Sequence, residues 1–210
     1  MKRLVMMALL TAGCFTINAQ SDPKAKSILD ELSAKTKAYT TIKADFAYVI
    51  EKKDNSKETQ NGKIQIKGDK YKLEITGHDI YCDGKTVWDF IKDANEVQVK
   101  DMVEGEEDAV NPSTIFTLYE NGYKYKFDGE DAVNQTISLF PTNPDKKKFH
   151  TVKLTIDKTK KQITSVKMMM KDGSTQLFTI KSFTTNAPIA DSEFVFNPKA
   201  HPGVSVEDLR

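Results

Sequence analysis

Few residues in this chain are of a type that does chemistry, and their surroundings suit it poorly. There are two cysteines, Cys14 and Cys82, and three histidines, His78, His150 and His201. A reactive thiol needs a base or a positive field nearby to form thiolate. In "YCDGKTVWDF" the neighbours of Cys82 are Tyr81 and Asp83, and the acid opposes that ionisation. Cys82 therefore reads as a small buried strand residue. The histidines fall in a turn, at a strand start and in the tail, without a metal-ligand spacing such as HExxH. Glu104, Glu106, Glu107 and Asp108 could attract a cation, but they lack the alternating ligands and distal glutamate of a calcium loop. There is no GxSxG nucleophile elbow and no phosphate-cradling glycine loop. We expect neither an enzyme nor a cofactor.

The charge excludes a further class. With 31 basic and 30 acidic side chains among 210 residues, the formal net charge is +1. A nucleic-acid binder would show a basic excess, so no nucleic-acid partner is expected.

The first residues, "MKRLVMMALLTAGCFTINAQ", combine Lys2 and Arg3 with an apolar run and a small residue at Ala19. That is the pattern of a secretory signal peptide over residues 1–19, too short for a membrane span of ~20 residues. Cleavage would leave 29 − 30 = −1 net charge and Cys82 as the one cysteine, hence no internal disulfide. "TAGC" supports a second reading, in which Cys14 becomes a lipid anchor. Thr11 stands three before that cysteine, where such motifs prefer leucine, and the apolar run continues past it.

Residues 20–210 read as one domain. Asp22 and Pro23 open an amphipathic helix to about residue 40, with Ile28, Leu29 and Leu32 on one face. From Thr41 the hydrophobic period changes to two. Phe46 and Tyr48, then Ile64 and Ile66, then Tyr71 and Leu73, then Trp88 and Phe90 alternate with polar residues. "KKDNSKETQNG", "KGD" and Asp83-Gly84 read as turns. Asn111-Pro112 opens a second short helix with Ile115 and Phe116 on its apolar face. Six further strands follow, the last being "EFVFN", before a polar tail. The pattern is an antiparallel meander of roughly ten or eleven strands. The four pairs would lie on one face, larger than two short helices can cover. That implies a half-open barrel with an α-helical lid over an apolar cavity, with a packed sandwich as the competing arrangement.

Several segments, in order, resemble the LolA family of periplasmic outer-membrane lipoprotein carriers. They are "IKADFAYVI" after an exported helix, "DGKTVWDF", "NPSTIFTL" and the ending "EFVFNPKAHPGVSVEDL". The resemblance implies a monomeric half-barrel that shields the acyl chains of lipoproteins. It would receive them from an inner-membrane ABC exporter and pass them to an outer-membrane receptor. Phe46, Trp88 and Phe90 fall at cavity or lid positions on that pattern. An arginine that many members carry at the turn Lys67-Gly68-Asp69, implied to hold the lid closed, is replaced by Gly68. A membrane-anchored lipid acceptor or an envelope-stress sensor of the same fold is the alternative.

Overall fold

The computed structural model describes residues 22–102, 118–120 and 122–210. The expected signal segment and most of the expected acidic loop and second helix, with Ile115 and Phe116, lie outside the described residues.

The protein is mainly β: the described residues form one α-helix and twelve strands in a single sheet that makes an incomplete barrel. Helix α1 spans Pro23–Lys37. The side chain of Asp22 accepts hydrogen bonds from the backbone N–H of Lys24 and Ala25, satisfying donors that the first turn cannot. The same carboxylate takes the N–H of Phe127 at 2.9 Å, so the cap also ties the helix to a strand edge.

Six strands follow as a meander: β1 (Ile42–Glu51), β2 (Lys57–Lys67), β3 (Lys70–Ile75), β4 (His78–Cys82), β5 (Thr86–Ile91) and β6 (Glu96–Asp101). A second meander comprises β7 (Tyr123–Glu130), β8 (Asn134–Pro141), β9 (Phe149–Asp157), β10 (Gln162–Met170) and β11 (Thr175–Thr185). The sheet order is β12-β6-β5-β4-β3-β2-β1-β11-β10-β9-β8-β7. The two meanders thus join where β1 pairs with β11, and β7 lies at the edge remote from β6.

Three expectations need correction. "EFVFN" is not a strand: Asp191–Phe194 is a 3-10 turn, and Phe194 and Phe196 are buried as plugs. The polar tail, placed after the last strand, contains a strand of its own: Ser205–Asp208 forms β12 and pairs in parallel with β6. The polar run "KKDNSKETQNG" is only partly a connection. Lys57–Gly62 belongs to β2 and pairs with β1 from Phe46 to Glu51.

The largest core cluster lies between α1 and β7–β10. Ala25, Leu29 and Leu32 pack there against Ile137, Leu139, Val152, Leu154 and Ile156. We call the helix-bearing side of the sheet its inner face. The end of the expected second helix reaches the same helix: Tyr119 donates to Asp30 at 3.1 Å, and Glu120 accepts from Ser33 and Lys37 at 2.7 and 2.6 Å.

Candidate functional site: an apolar inner face

Strand register decides which residues share a face, because successive side chains alternate sides. Ile42, Ala44 and Phe46 of β1 stand opposite Ile66, Ile64 and Gly62 of β2. Ile64 and Ile66 stand opposite Leu73 and Tyr71 of β3, which face Ile80 and Cys82 of β4. On the other side, Phe46 and Tyr48 are in register with Ile180 and Phe178 of β11. Phe178 also packs against the helix-covered core. Phe46, Tyr48, Ile64, Ile66, Tyr71 and Leu73 therefore line one continuous inner face, as the alternation suggested.

This surface is an apolar floor with depth. Ile66 and Phe46 are buried, whereas Tyr48, Ile64 and Leu73 keep part of their surface exposed. Tyr48 stacks on Phe178 with ring centroids 4.4 Å apart, and Phe46 tilts against the same ring at 5.8 Å. Burial pushes the Tyr48 phenol above its ordinary pKa. Among the described residues, α1 packs on β7 and β10 and leaves the β1–β5 half to smaller groups such as Tyr39, Met102 and Phe183. A hollow of about 550 Å³ is lined by Phe46, Gly62 and Ile75 with the polar residues Asp45, Glu74 and Lys181. It is a mixed-polarity recess and not a closed apolar chamber.

Trp88 and Phe90 are not part of this floor. Trp88 pairs with Tyr81, Tyr81 with Lys72, and Lys72 with Gln65, all pointing to the outer face. There Phe90 is buried under the C-terminal segment, with Phe196 at 5.4 Å and His201 at 4.3 Å between ring centroids. Trp88 packs in the same cluster beside Val97 and Val204. The expectation of a single face for all four pairs is corrected here. The turn after Cys82 pairs that residue with Val87, so Val87 and not Trp88 continues the inner face.

Among the described residues nothing around Cys82 would activate it. It is fully buried on the inner face, where burial first, and Asp83 and Asp69 after it, push the thiol up. Its sulfur meets the Met102 sulfur at 3.5 Å and the Gly84 N–H at 3.4 Å. His78 lies on the same strand, about 13 Å away by strand rise, and pairs with Asp89 at 2.9 Å. Among the described residues no group of three His, Cys, Asp or Glu side chains could share a metal ion.

Gly68 occupies a left-handed turn position, φ +58°, which a side-chain-bearing residue adopts only under strain. The lysines flanking this turn fasten it to the C-terminal segment. Lys67 and Lys70 reach the two carboxylate oxygens of Asp191 at 2.8 and 2.9 Å, holding that carboxyl down at about 2. Lys67 also donates to the Ile189 carbonyl at 3.1 Å.

An open, largely antiparallel half-barrel with a helix on its inner side and an apolar floor beside that helix is the class of fold the chain adopts. Within that class, the chain belongs to the family described as outer membrane lipoprotein carrier protein LolA, whose model matches residues 15–174. Among solved structures it is similar to an uncharacterised conserved protein from Thermus thermophilus. That match has a TM-score of 0.59 at 12% identity, over 88% of this chain and 99% of that one. It is also similar to a LolA superfamily protein from Nitrosomonas europaea, with a TM-score of 0.47 at 11% identity over 82% and 97% of the two chains. The MucA/MucB complex of Pseudomonas aeruginosa gives 0.42 at 11% identity, over 84% of this chain and 62% of that one. No curated protein is matched.

Proposed function

We propose that this protein is a periplasmic carrier that shields the acyl chains of lipoproteins on the inner face of β1–β5. It would take them from an inner-membrane ABC exporter and deliver them to an outer-membrane receptor. The observation that carries the reading is the continuous apolar floor from Tyr48 and Phe46 to Leu73, partly exposed beside the helix-covered core. Each methylene moved out of water contributes ~0.8 kcal/mol, so a chain of about sixteen carbons gains on the order of 10 kcal/mol by leaving water. Such a cargo cannot cross an aqueous compartment unshielded. A floor of aromatic and branched side chains provides shielding without directional bonds, so release needs no chemistry. Loose binding suits a carrier, because affinity beyond that of the receiving membrane would trap the cargo.

The test is co-elution. Purified protein is mixed with an acylated lipoprotein and, separately, with its unacylated form while detergent is diluted away. A soluble complex is expected with the acylated form alone. Aggregation of the acylated form in the presence of the protein overturns the proposal. Mass spectrometry of the mature N-terminus separates the soluble carrier, beginning at Gln20, from an acceptor anchored through a lipidated Cys14.

A further inference from the structure

One end of the sheet carries an unusual density of lysine. The pairings Glu51 with Lys57 and Thr175, and Met169 with Thr151 and Thr175, set three turns side by side. These are the β1–β2, β8–β9 and β10–β11 connections. The first carries Lys52 and Lys53, the second Lys146, Lys147 and Lys148, and the third Lys171. The first and third touch, since a Cβ placed on Gly173 would lie 3.6 Å from Cγ of Lys53. Lys124 on the edge strand β7 stands beside Phe140, which is 37% exposed. Further along the outer face, Lys126, Lys153 and Lys167 form a row through Ser138.

The carboxylates at this end are largely occupied. Glu51 and Glu58 pair with Lys57 and Lys52. Asp54 and Asp172 are folded back onto Ser56 and Ser174 within their own turns. Asp145 sits in the β8–β9 turn beside Lys146. Lys53, Lys124, Lys147 and Lys167 pair with no carboxylate among the described residues. The result is a collar of single charges, with apolar atoms of Phe140 exposed among them. The stacked pair Tyr48 and Phe178 lies on the inner face toward the same end, three residues from the end of β1.

We propose that this end of the sheet docks on an anionic lipid surface. Lysine ammonium groups are point charges that suit a field of phosphate headgroups, where no one bidentate geometry is required. An exposed aromatic ring among them suits the headgroup level. Docked end-on, the sheet presents the open end of its apolar floor to the bilayer. The interaction needs no cargo, so it is tested independently of the carrier reading.

Cargo-free protein is sedimented with vesicles of phosphatidylcholine alone and of phosphatidylcholine mixed with phosphatidylglycerol, at low and high salt. Selective binding to the anionic vesicles, weakened by salt, is expected. A lysine near an anionic surface is worth about fivefold in partition. The combined change of Lys53→Gln, Lys124→Gln and Lys147→Gln should therefore lower binding at least about tenfold. Changing Lys85→Gln and Lys199→Gln, at exposed sites elsewhere, should leave it unaltered. Equal binding to both vesicle types by the native protein overturns the proposal without recourse to a variant. So does a folded triple variant that binds like the parent, or a native protein that ignores vesicles and binds polyglutamate, which would indicate an acidic protein partner.

Discussion

The ring of Phe46 lies across the backbone of Gly62 on the neighbouring strand: a Cβ built on Gly62 would stand 2.3 Å from Cζ of Phe46 and 2.9 Å from the Glu74 carbonyl oxygen. The missing side chain is what allows a large ring to lie flat in the floor, tilted against Phe178. Gly62→Ala should displace the ring and destabilise the fold by about 1–3 kcal/mol, as overpacking does. Phe46→Ala alone should cost about 3–5 kcal/mol. Combined, the two should cost clearly less than their sum in urea denaturation, because the clash needs both partners. Additive effects would mean that the ring and the glycine do not interact.

The outer position of Trp88 makes it a poor reporter of cargo. An acyl probe brominated along its chain should leave Trp88 emission nearly unquenched, since the sheet backbone separates the two. With Trp88→Phe as background, Leu73→Trp should be quenched by the same probe. Strong quenching of Trp88 in the native protein would place the ligand on the face we exclude.

Cys82 should behave as a core residue. Its burial and raised thiol pKa predict very slow reaction with a water-soluble disulfide reagent at pH 8 and fast reaction in denaturant. Cys82→Ser should destabilise through a buried hydroxyl and leave acyl binding intact once folded. A fast native reaction would contradict the environment described here.

The Asp191 contacts predict a pH signature. Its carboxyl is held at about 2 in the fold against 3.8 ordinarily, chiefly by hydrogen bonds from Lys67 and then Lys70. A depressed acid pKa gives stability that is complete above its unfolded value and vanishes as pH falls through its folded value. The stability difference between the native protein and Asp191→Asn should therefore be constant at pH 5–7 and shrink between about pH 4 and 2. The effect should be small, because the carboxylate is solvent-exposed. A difference that persists unchanged at pH 2 would show that the ion pairs are not its source.

Much of the architecture was legible because alternation is a local signal. The strands carrying Phe46, Ile64, Tyr71 and Trp88 were each visible from their own residues. The errors share one cause. "EFVFN" alternates because Phe194 and Phe196 are buried at 0% and 4% exposure, yet among the described residues no strand lies alongside to make a ladder. β12 shows the reverse: Val206 is 57% exposed, and only hydrogen bonding to β6 makes the segment a strand. Lys57–Gly62 looked like a connection because its side chains are polar, but β1 is long enough to pair with all of it.

By itself the sequence determined a β-rich chain with a helix at its start. It also determined that the strands with alternating apolar residues would each have one apolar side. Only the tertiary structure decided which apolar sides meet. Side chains alternate with a period of two, so a turn that shifts pairing by one residue moves every later side chain to the opposite face. The pairing of Cys82 with Val87 sent Trp88 and Phe90 outward to the C-terminal segment, while Tyr71 and Leu73 stayed with Phe46 on the inner face.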